Sequence, residues 1–221
     1  MLVIGYRIEP AIAMSMLRNL PLEPLVMLGR ALALVCLFEY RDTTIGPYNE
    51  IGVGIYVRRT GTAPSLWRVL RDPRKIEDVG LYVVNLPVSA HAALTAGVEI
   101  WGYPKYVAGI ATSFQQDRIR VALESEFVLT YSCGFGFEIN GPPFITYTLL
   151  KNRLLRTIVE VGHRVRFGGA RSIRLSINGA GPTAATAKAL GLDAVRPAFA
   201  FRTDAMKAVL PAGKDLGAIA S

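Results

Sequence analysis

The sequence predicts a mainly β protein of the α+β class, an antiparallel barrel or cone with a few short helices packed on it. Three observations predict this class. Apolar residues make up 51% and charged residues 19% of the 221 residues, which excludes a disordered chain. Most apolar runs are short, rich in β-branched residues and separated by Gly or polar turns. Long crossover helices are missing from the pattern, so we expect one domain over residues 1–221 without a doubly wound α/β fold.

Successive strands are predicted along most of the chain. The clearest is Tyr48–Arg59, in which apolar residues alternate with glycine. No helix follows its Gly-Val-Gly, so this is not a dinucleotide-binding loop, and the glycines instead let a ligand or another backbone approach closely. Residues 25–38 form an apolar run that contains Arg30 and is too short to cross a bilayer, and residues 26–40 predict a buried strand. The remaining predicted strands are residues 80–86, 106–114, 117–124, 127–133, 144–150, 154–166 and 172–177.

Helix signals are few. They predict short helices over residues 11–18, 90–101, 183–190 and 203–210. Ser89 is the predicted N-cap of the second helix, which Gly102 and Pro104 end. Thr203 or Asp204 is the predicted cap of the last one.

The composition limits the compartment and the metal chemistry. No basic segment followed by an apolar one opens the chain, so we expect no signal peptide, no membrane association and a cytoplasmic protein. Cys36 and Cys133 lie in apolar runs without pair spacing, and we expect both thiols to be reduced and buried. Two histidines, His91 and His163, cannot build a His-rich site, so we expect no metal.

The net charge of +8 comes mostly from arginine. The basic residues cluster at 58–59, 68–75, 151–156 and 164–174. No recognised nucleic-acid-binding motif accompanies them, so we expect no nucleic-acid partner. Solvated strand faces and subunit contacts are the plain explanations, and a positive field at the mouth of a site would attract anionic substrates such as keto acids.

The stretch Glu99-Ile-Trp-Gly-Tyr-Pro-Lys105 contains the strongest candidate for chemistry. Residues 81–104 include one acid, one His and no Lys or Arg. Such apolar surroundings favour the neutral amine of Lys105, which is a nucleophile that forms a Schiff base with a ketone. Most lysines, however, are solvated surface charges. Trp101 and Tyr103 could form the wall of a dry pocket, although core packing is the commoner use of an aromatic side chain.

The run from Gly97 to Lys105 resembles the signature of the acetoacetate decarboxylase family, in which Gly-Arg-Glu leads into an aromatic residue, Pro and two lysines. The resemblance implies that Lys105 forms the imine with the substrate ketone, as the first lysine does in that family. It also implies a β-cone that encloses a pocket and assembles into homo-oligomers. Glu99 matches the family's Glu, and as the only charge in an apolar helix it is expected to have a partner, with a structural or a catalytic role.

A second stretch, Thr44-Ile-Gly-Pro-Tyr-Asn-Glu50, resembles the family segment that carries an acidic active-site residue. By this match the acid is Glu50, which could shuttle protons or position a keto acid. Without the resemblance, Glu50 would be interpreted as an exposed turn residue. Tyr48 in the same stretch, Tyr103 and Tyr106 are the candidates for a second proton carrier.

Three positions depart from the family pattern. Tyr106 stands where the second lysine is expected, so burial alone has to keep Lys105 neutral. Val35 falls where the family has another carboxylate, and Val98 where it often has Arg. The imine-forming lysine is retained while much of its polar surround is replaced, which favours a relative that keeps Schiff-base chemistry with a changed substrate.

The sequence therefore predicts a Schiff-base-forming lyase that acts on a keto acid and needs no cofactor or metal. Lys105 is the predicted nucleophile and Glu50 the acid/base or positioning group. The predicted substrate-binding residues are Tyr48, Trp101, Tyr103, Tyr106 and Glu99. Two alternatives stay open. One is an imine-forming aldolase or dehydratase on a larger keto acid, and the other is a non-catalytic β-barrel that binds a small apolar ligand.

Overall fold

The computed structural model describes residues 1–65, 76, 78–134, 136–141, 143–161 and 164–219. The basic segment 68–75 and His163 lie outside these residues. The helices of the described part are α1 (Pro10–Ser15), α2 (His91–Trp101) and α3 (Pro182–Ala189). Its strands are β1 (Leu2–Ile8), β2 (Leu22–Pro24), β3 (Ala31–Tyr40), β4 (Tyr48–Arg59), β5 (Val79–Val88), β6 (Lys105–Val107), β7 (Ile110–Phe114), β8 (Arg118–Leu123), β9 (Phe127–Ser132), β10 (Gly136–Asn140), β11 (Phe144–Leu150), β12 (Arg153–Val161), β13 (Arg164–Gly168), β14 (Ile173–Ile177), β15 (Pro197–Arg202), β16 (Ala208–Val209) and β17 (Lys214–Ala218).

A large mixed sheet dominates the structure, in the strand order β10-β13-β15-β1-β3-β4-β5-β11-β12-β16. Off this path, β2 pairs with β4, β6 with β5 and β17 with β12. Most pairs are antiparallel, but β5 pairs in parallel with both β6 and β11. A smaller antiparallel sheet has the order β14-β9-β8-β7. Side chains from both sheets, such as Ile4 and Ile119, belong to one buried apolar cluster. The predicted class is confirmed, although no pairing among the described residues joins β10 to β16 to close a barrel.

Strand β4 has the predicted bounds, and its alternation creates two different faces. Ile51 and Val53 are buried in the main core. Gly52 and Gly54 lie on the opposite face, and a Cβ at Gly54 would be only 2.5 Å from the carbonyl oxygen of Tyr82. Glycine therefore lets a neighbouring backbone approach closely at this position, as the pattern predicts.

The predicted strand 26–40 is wrong in its first part, where the chain makes a turn. Leu28 and Gly29 have positive φ angles of 50° and 73°, and Met27 pairs with Arg30 across them. Strand β3 therefore begins at Ala31, and Leu28 is 90% exposed. The sequence does not reveal a turn inside an apolar run when one of the apolar residues itself adopts a positive φ angle.

Two further predicted strands are interrupted. Residues 106–114 divide into β6 and β7 because the chain passes from the large sheet to the small one at Ala108 and Gly109. The N–H of Ala108 donates to the carbonyl of Val88 in β5, whereas the carbonyl of Gly109 accepts from Glu124 after β8. Residues 154–166 divide into β12 and β13, which pair near opposite ends of the large sheet.

The helix predicted over 203–210 is wrong, since Ala208 and Val209 form strand β16 against β12. Pairing with the sheet thus prevails over the local capping pattern. Helix α2 is confirmed, but Ser89 is not its cap. The N-cap is Ala90, and the Ser89 hydroxyl oxygen instead accepts a 2.8 Å hydrogen bond from the backbone N–H of Asn49.

Both cysteines are free thiols. Cys36 is buried as expected, whereas Cys133 is partly exposed. His91 is the exposed first residue of α2. No helix in the described ranges has the length and apolar character needed to cross a membrane.

Candidate active site

Strand β5 brings Lys105 and Glu50 to one place. Glu50 on β4 pairs with Val88 of β5, and Lys105 opens β6 opposite Leu86 of the same strand. The two residues therefore lie on either side of one strand, with backbones about 10 Å apart. A lysine and a glutamate side chain together span this distance.

Lys105 and Glu50 form a buried ion pair. The Nζ atom of Lys105 lies 2.6 Å from Oε2 of Glu50, and the side chains are only 7% and 8% exposed. Burial disfavours both charges, whereas pairing favours both, so the two influences oppose each other. Transfer of one proton from Nζ to Oε2 leaves a neutral amine beside a neutral acid. Lys105 is thus buried in contact with a carboxylate, and not in apolar surroundings alone.

Helix α2 presses on the stem of this lysine at Gly97. A Cβ at Gly97 would overlap Cδ and Cε of Lys105 and lie 3.1 Å from Nζ. The helix ends at Gly102 with φ +64°, as predicted, and the N–H of Tyr103 donates back to the carbonyl of Gly97. A Cβ at Gly102 would overlap the carbonyl oxygen of Leu149 in β11. The two glycines therefore allow the close packing of the helix end that precedes Lys105.

Tyrosine rings surround the amine. The Nζ atom of Lys105 lies 5.8 Å from the ring centroids of Tyr48 and of Tyr103, within the range of a cation–π interaction. The hydroxyl of Tyr103 forms a 2.9 Å hydrogen bond with the hydroxyl of Thr146, which fixes its ring. The ring of Tyr40 stacks on Tyr48 with centroids 4.6 Å apart.

The polar groups of this wall keep their protons. Burial raises the pKa of Tyr103 to about 12, and burial together with the Glu50 carboxylate raises the pKa values of Tyr40 and Tyr48. Burial likewise raises the pKa of the Cys36 thiol to about 12. At neutral pH these groups are therefore protonated and do not act as bases. The Tyr40 hydroxyl donates such a bond, 3.5 Å long, to Oε1 of Glu50.

Lys105 lies at the boundary of two adjoining cavities. The outer cavity, which we call the vestibule, has a volume of about 770 Å³ and is lined by Arg41, Asp42, Thr43, Ala93, Trp101, Asp204 and Lys207 among others. The inner chamber has a volume of about 80 Å³ and is lined by Cys36, Glu50, Gly52, Val83, Leu86, Phe144 and Val159 among others. Both share Tyr40, Tyr48, Tyr103 and Lys105. A ketone at Nζ could thus extend one substituent into each cavity.

The predicted substrate-binding residues divide into two groups. Tyr48, Tyr103 and Trp101 line the vestibule, and the indole N–H of Trp101 donates to the carbonyl of Pro211 at 2.8 Å. Tyr106 and Glu99 line neither cavity. The structure therefore does not bring these last two to Lys105.

Tyr106 and Glu99 have other surroundings. The Tyr106 hydroxyl lies 2.6 Å from the hydroxyl of Thr183 and donates to Glu126 at 3.3 Å. Successive residues of a strand point to opposite faces, so Tyr106 and its neighbour Lys105 cannot share a cavity. Glu99 is exposed on α2, and the part of the chain described by the structure provides no ion pair for it, so its expected partner is absent there.

The mouth of the site contains few of the predicted basic groups. Within the described ranges, the side-chain cations that line the vestibule are Arg41, Lys105 and Lys207. The groups at 58–59, 151–156 and 164–174 do not line it. Val35, where the resemblance suggests a missing carboxylate, is buried in the core on the face of β3 opposite to the cavities. No cluster of His, Cys, Asp and Glu suited to a metal ion occurs among the described residues.

Two residues of the site were not predicted from the sequence, and Gly97 was named only as the start of the family motif. Tyr40 and Thr146 contact the site through strand pairings between distant segments, which a single sequence does not reveal. Gly97 had a weak signal, because glycine inside a helix costs about 1 kcal/mol relative to alanine and usually has a packing reason.

Comparison with known proteins identifies the family of the chain. A profile of the family described as acetoacetate decarboxylase (ADC) matches residues 1–141. Curated protein sequences include no match to the chain. Acetoacetate decarboxylase from Legionella pneumophila subsp. pneumophila str. Philadelphia 1 superposes with a TM-score of 0.69 at 17% identity, over 98% of this chain and 84% of that one.

Two other solved structures are similar. The enduracididine biosynthesis enzyme MppR, complexed with pyruvate, has a TM-score of 0.68 at 15% identity, over 99% of this chain and 88% of that one. An acetoacetate decarboxylase-like enzyme from Sphingomonas wittichii RW1 has a TM-score of 0.61 at 13% identity, over 98% and 90% of the two chains. At these identities the similarity establishes the fold alone.

Proposed function

Because the chain belongs to the acetoacetate decarboxylase family, we propose that it is a Schiff-base-forming lyase that acts on a keto acid. The observation that carries the proposal is the buried pair of Lys105 Nζ and Glu50 Oε2, 2.6 Å apart at the boundary of the two cavities. A buried amine with a proton acceptor in hydrogen-bond contact is the arrangement that nucleophilic catalysis requires.

Imine formation begins when Glu50 takes a proton from Lys105. The neutral amine then attacks the ketone carbon, and the carbinolamine loses water as its oxygen receives a proton. The product is a protonated imine whose positive nitrogen lies beside the carboxylate of Glu50 and between the rings of Tyr48 and Tyr103. This cation is stabilised by the same contacts that the lysine makes in the free protein.

Decarboxylation follows if the substrate is a 3-keto acid. The bond to the carboxylate carbon breaks, its electron pair moves into the protonated imine, and carbon dioxide and an enamine form. Glu50, a carboxylate at this stage, takes up a proton from water and delivers it to the enamine carbon. Water then hydrolyses the imine to release the ketone and Lys105. Tyr48, whose ring centroid lies 5.8 Å from Nζ and whose hydroxyl stays protonated because of burial, is a second candidate donor.

Condensation or dehydration on a larger 2-keto acid is the second candidate function. The size of the vestibule, about 770 Å³, favours it, because an acid as small as acetoacetate leaves most of that space unfilled. MppR, whose fold is similar, has been crystallised with the condensation product of pyruvate and imidazole 4-carboxaldehyde. The imine of the 2-keto acid would lose a proton from its neighbouring carbon to the Glu50 carboxylate, and the resulting enamine would attack an aldehyde carbon, whose oxygen then takes that proton.

Turnover measurements distinguish the two functions. The wild-type protein and a Lys105→Met variant are incubated with 3-keto acids, and with 2-keto acids together with aldehydes. Carbon dioxide release and carbon–carbon adducts are measured by mass spectrometry. Methionine keeps the buried stem against Gly97 but has no amine, so we expect all turnover to stop in the variant. A variant that retains wild-type turnover contradicts the proposal, and a wild type without turnover favours a non-catalytic ligand-binding protein.

A further inference from the structure

The two cavities differ sharply in chemistry. The inner chamber contains no charged side chain except Glu50 and Lys105, and its other walls are mostly apolar, with Val83, Leu86 and Phe144 among them. The remaining charged side chains of the site line the vestibule alone. An apolar group therefore gains by entering the chamber, whereas a carboxylate there would meet Glu50 without a new counter-charge.

The chamber is small. One water-sized sphere occupies about 10–15 Å³ of such volume, so the chamber of about 80 Å³ has room for on the order of five non-hydrogen atoms. Its floor is open at Gly52. A Cβ there would point into this space, 3.1 Å from Cδ1 of Leu86 and 3.6 Å from Cβ of Cys36. The chamber thus has the size of a short linear or branched alkyl group.

One side-chain cation of the vestibule is available for an anion. Both Nε and NH2 of Arg41 are bound to Oε2 of Glu39, at 3.0 and 2.7 Å. Lys105 is not available either, because its amine becomes the nitrogen of the imine. Lys207 is exposed, lines the vestibule, and has no carboxylate within ion-pair distance in the described ranges.

We propose that the substrate is an aliphatic keto acid, bound with its alkyl group in the inner chamber and its carboxylate in the vestibule against Lys207. This inference rests on the proposed function, because it takes Lys105 as the point at which the carbonyl carbon is held. The two substituents of that carbon then point to opposite sides of Nζ, one into each cavity. Gly52 and Leu86 determine the length of alkyl group that fits.

The test is the rate at which borohydride traps the imine on Lys105, read by mass spectrometry of peptides. The compounds are straight-chain 2-keto acids of increasing alkyl length and methyl ketones of matched length without the carboxylate. For the wild type, we expect labelling to rise up to a few carbons and then to fall. Gly52→Ala moves the optimum to shorter chains, and Leu86→Ala moves it to longer ones. If either variant folds poorly, the other still tests the chamber.

Lys207→Gln tests the orientation of the carboxylate. We expect labelling by keto acids to fall about two- to five-fold at low salt, the range of an exposed ion pair, while labelling by the ketones is unchanged. The matched control is Lys151→Gln, an exposed lysine that lines neither cavity. An optimum that neither chamber variant moves, or an equal fall for acids and ketones, overturns the inference while Lys105 labelling still supports the proposed function. Absence of label with every compound overturns both.

Discussion

Replacement of Gly97 by alanine is expected to slow imine formation and to change the free energy of unfolding only little. The added methyl group would overlap Cδ and Cε of Lys105. Carbon atoms pack at about 3.5–4.0 Å, so the lysine stem has to move by on the order of 1 Å. These atoms belong to the outer part of a flexible side chain, and they can move while the helix stays in place.

The free energy of unfolding should therefore change little. Overpacking costs about 1–3 kcal/mol, and alanine in place of glycine inside a helix returns about 1 kcal/mol. The net loss is about 0–2 kcal/mol. The amine, however, moves by about 1 Å from its position 2.6 Å from Glu50, which lengthens the ion pair without breaking it. Because a displacement of about 1 Å at a reacting group can cost about 100-fold in rate, we expect imine formation to fall by about that factor.

The assay combines urea unfolding with the rate of borohydride trapping by a keto acid that labels the wild type. Gly169→Ala is the matched control, since a Cβ at Gly169 has no atom within 4 Å and should change neither quantity. A Gly97→Ala variant that traps the keto acid within about two-fold of the wild-type rate would refute the reasoning.

Three other outcomes are expected. Glu50→Gln leaves Lys105 buried without its counter-charge, so urea unfolding should show a loss of about 3–5 kcal/mol, and a loss below about 1 kcal/mol would show that the pair is not buried in solution. Tyr106→Phe should lower the free energy of unfolding by about 1–2 kcal/mol in the same experiment, because the buried partners of the Tyr106 hydroxyl lose a hydrogen bond. The rate of trapping should stay unchanged, and slower trapping would mean that Tyr106 reaches the cavity. The thiol of Cys36 keeps its proton in the folded protein, whereas the unfolded chain releases it above about pH 9. The stabilisation that the protonated thiol contributes is therefore complete below pH 9 and is lost as the pH rises towards 12. The free energy of unfolding is measured for the wild type and for Cys36→Ala between about pH 8 and 11. Above pH 9 the wild-type value should fall by about 1.4 kcal/mol per pH unit more than that of the variant, and equal slopes would contradict the burial of the thiol.

Local patterns predicted much of the secondary structure. The alternation of Tyr48–Arg59 identified β4 at both ends, and α2 ends at Gly102, as the glycine and the following Pro104 indicated. Errors arose where long-range pairing prevailed. The segment at 203–210 has a helix-like start, but Ala208 and Val209 pair with β12, and nothing in the local sequence signals that strand.

The reactive residues of the site could be predicted from the sequence, but their arrangement in space could not. Lys105 and Glu50 were found through the family resemblance, yet they are 55 residues apart, and their contact depends on the pairing of β4, β5 and β6. The outward direction of Tyr106 follows from strand alternation once Lys105 is known to open β6. Tyr40 could not be found, because its contact with Glu50 requires the register of β3 against β4.

The central claim is that Lys105 is the covalent nucleophile. Borohydride reduction in the presence of a panel of 2- and 3-keto acids, followed by peptide mapping of the wild type and of Lys105→Met, tests it most directly. Our account predicts a mass increment confined to the peptide that contains Lys105, for at least one keto acid, and no increment in the variant. A label on another lysine, or no label with any keto acid, would contradict it.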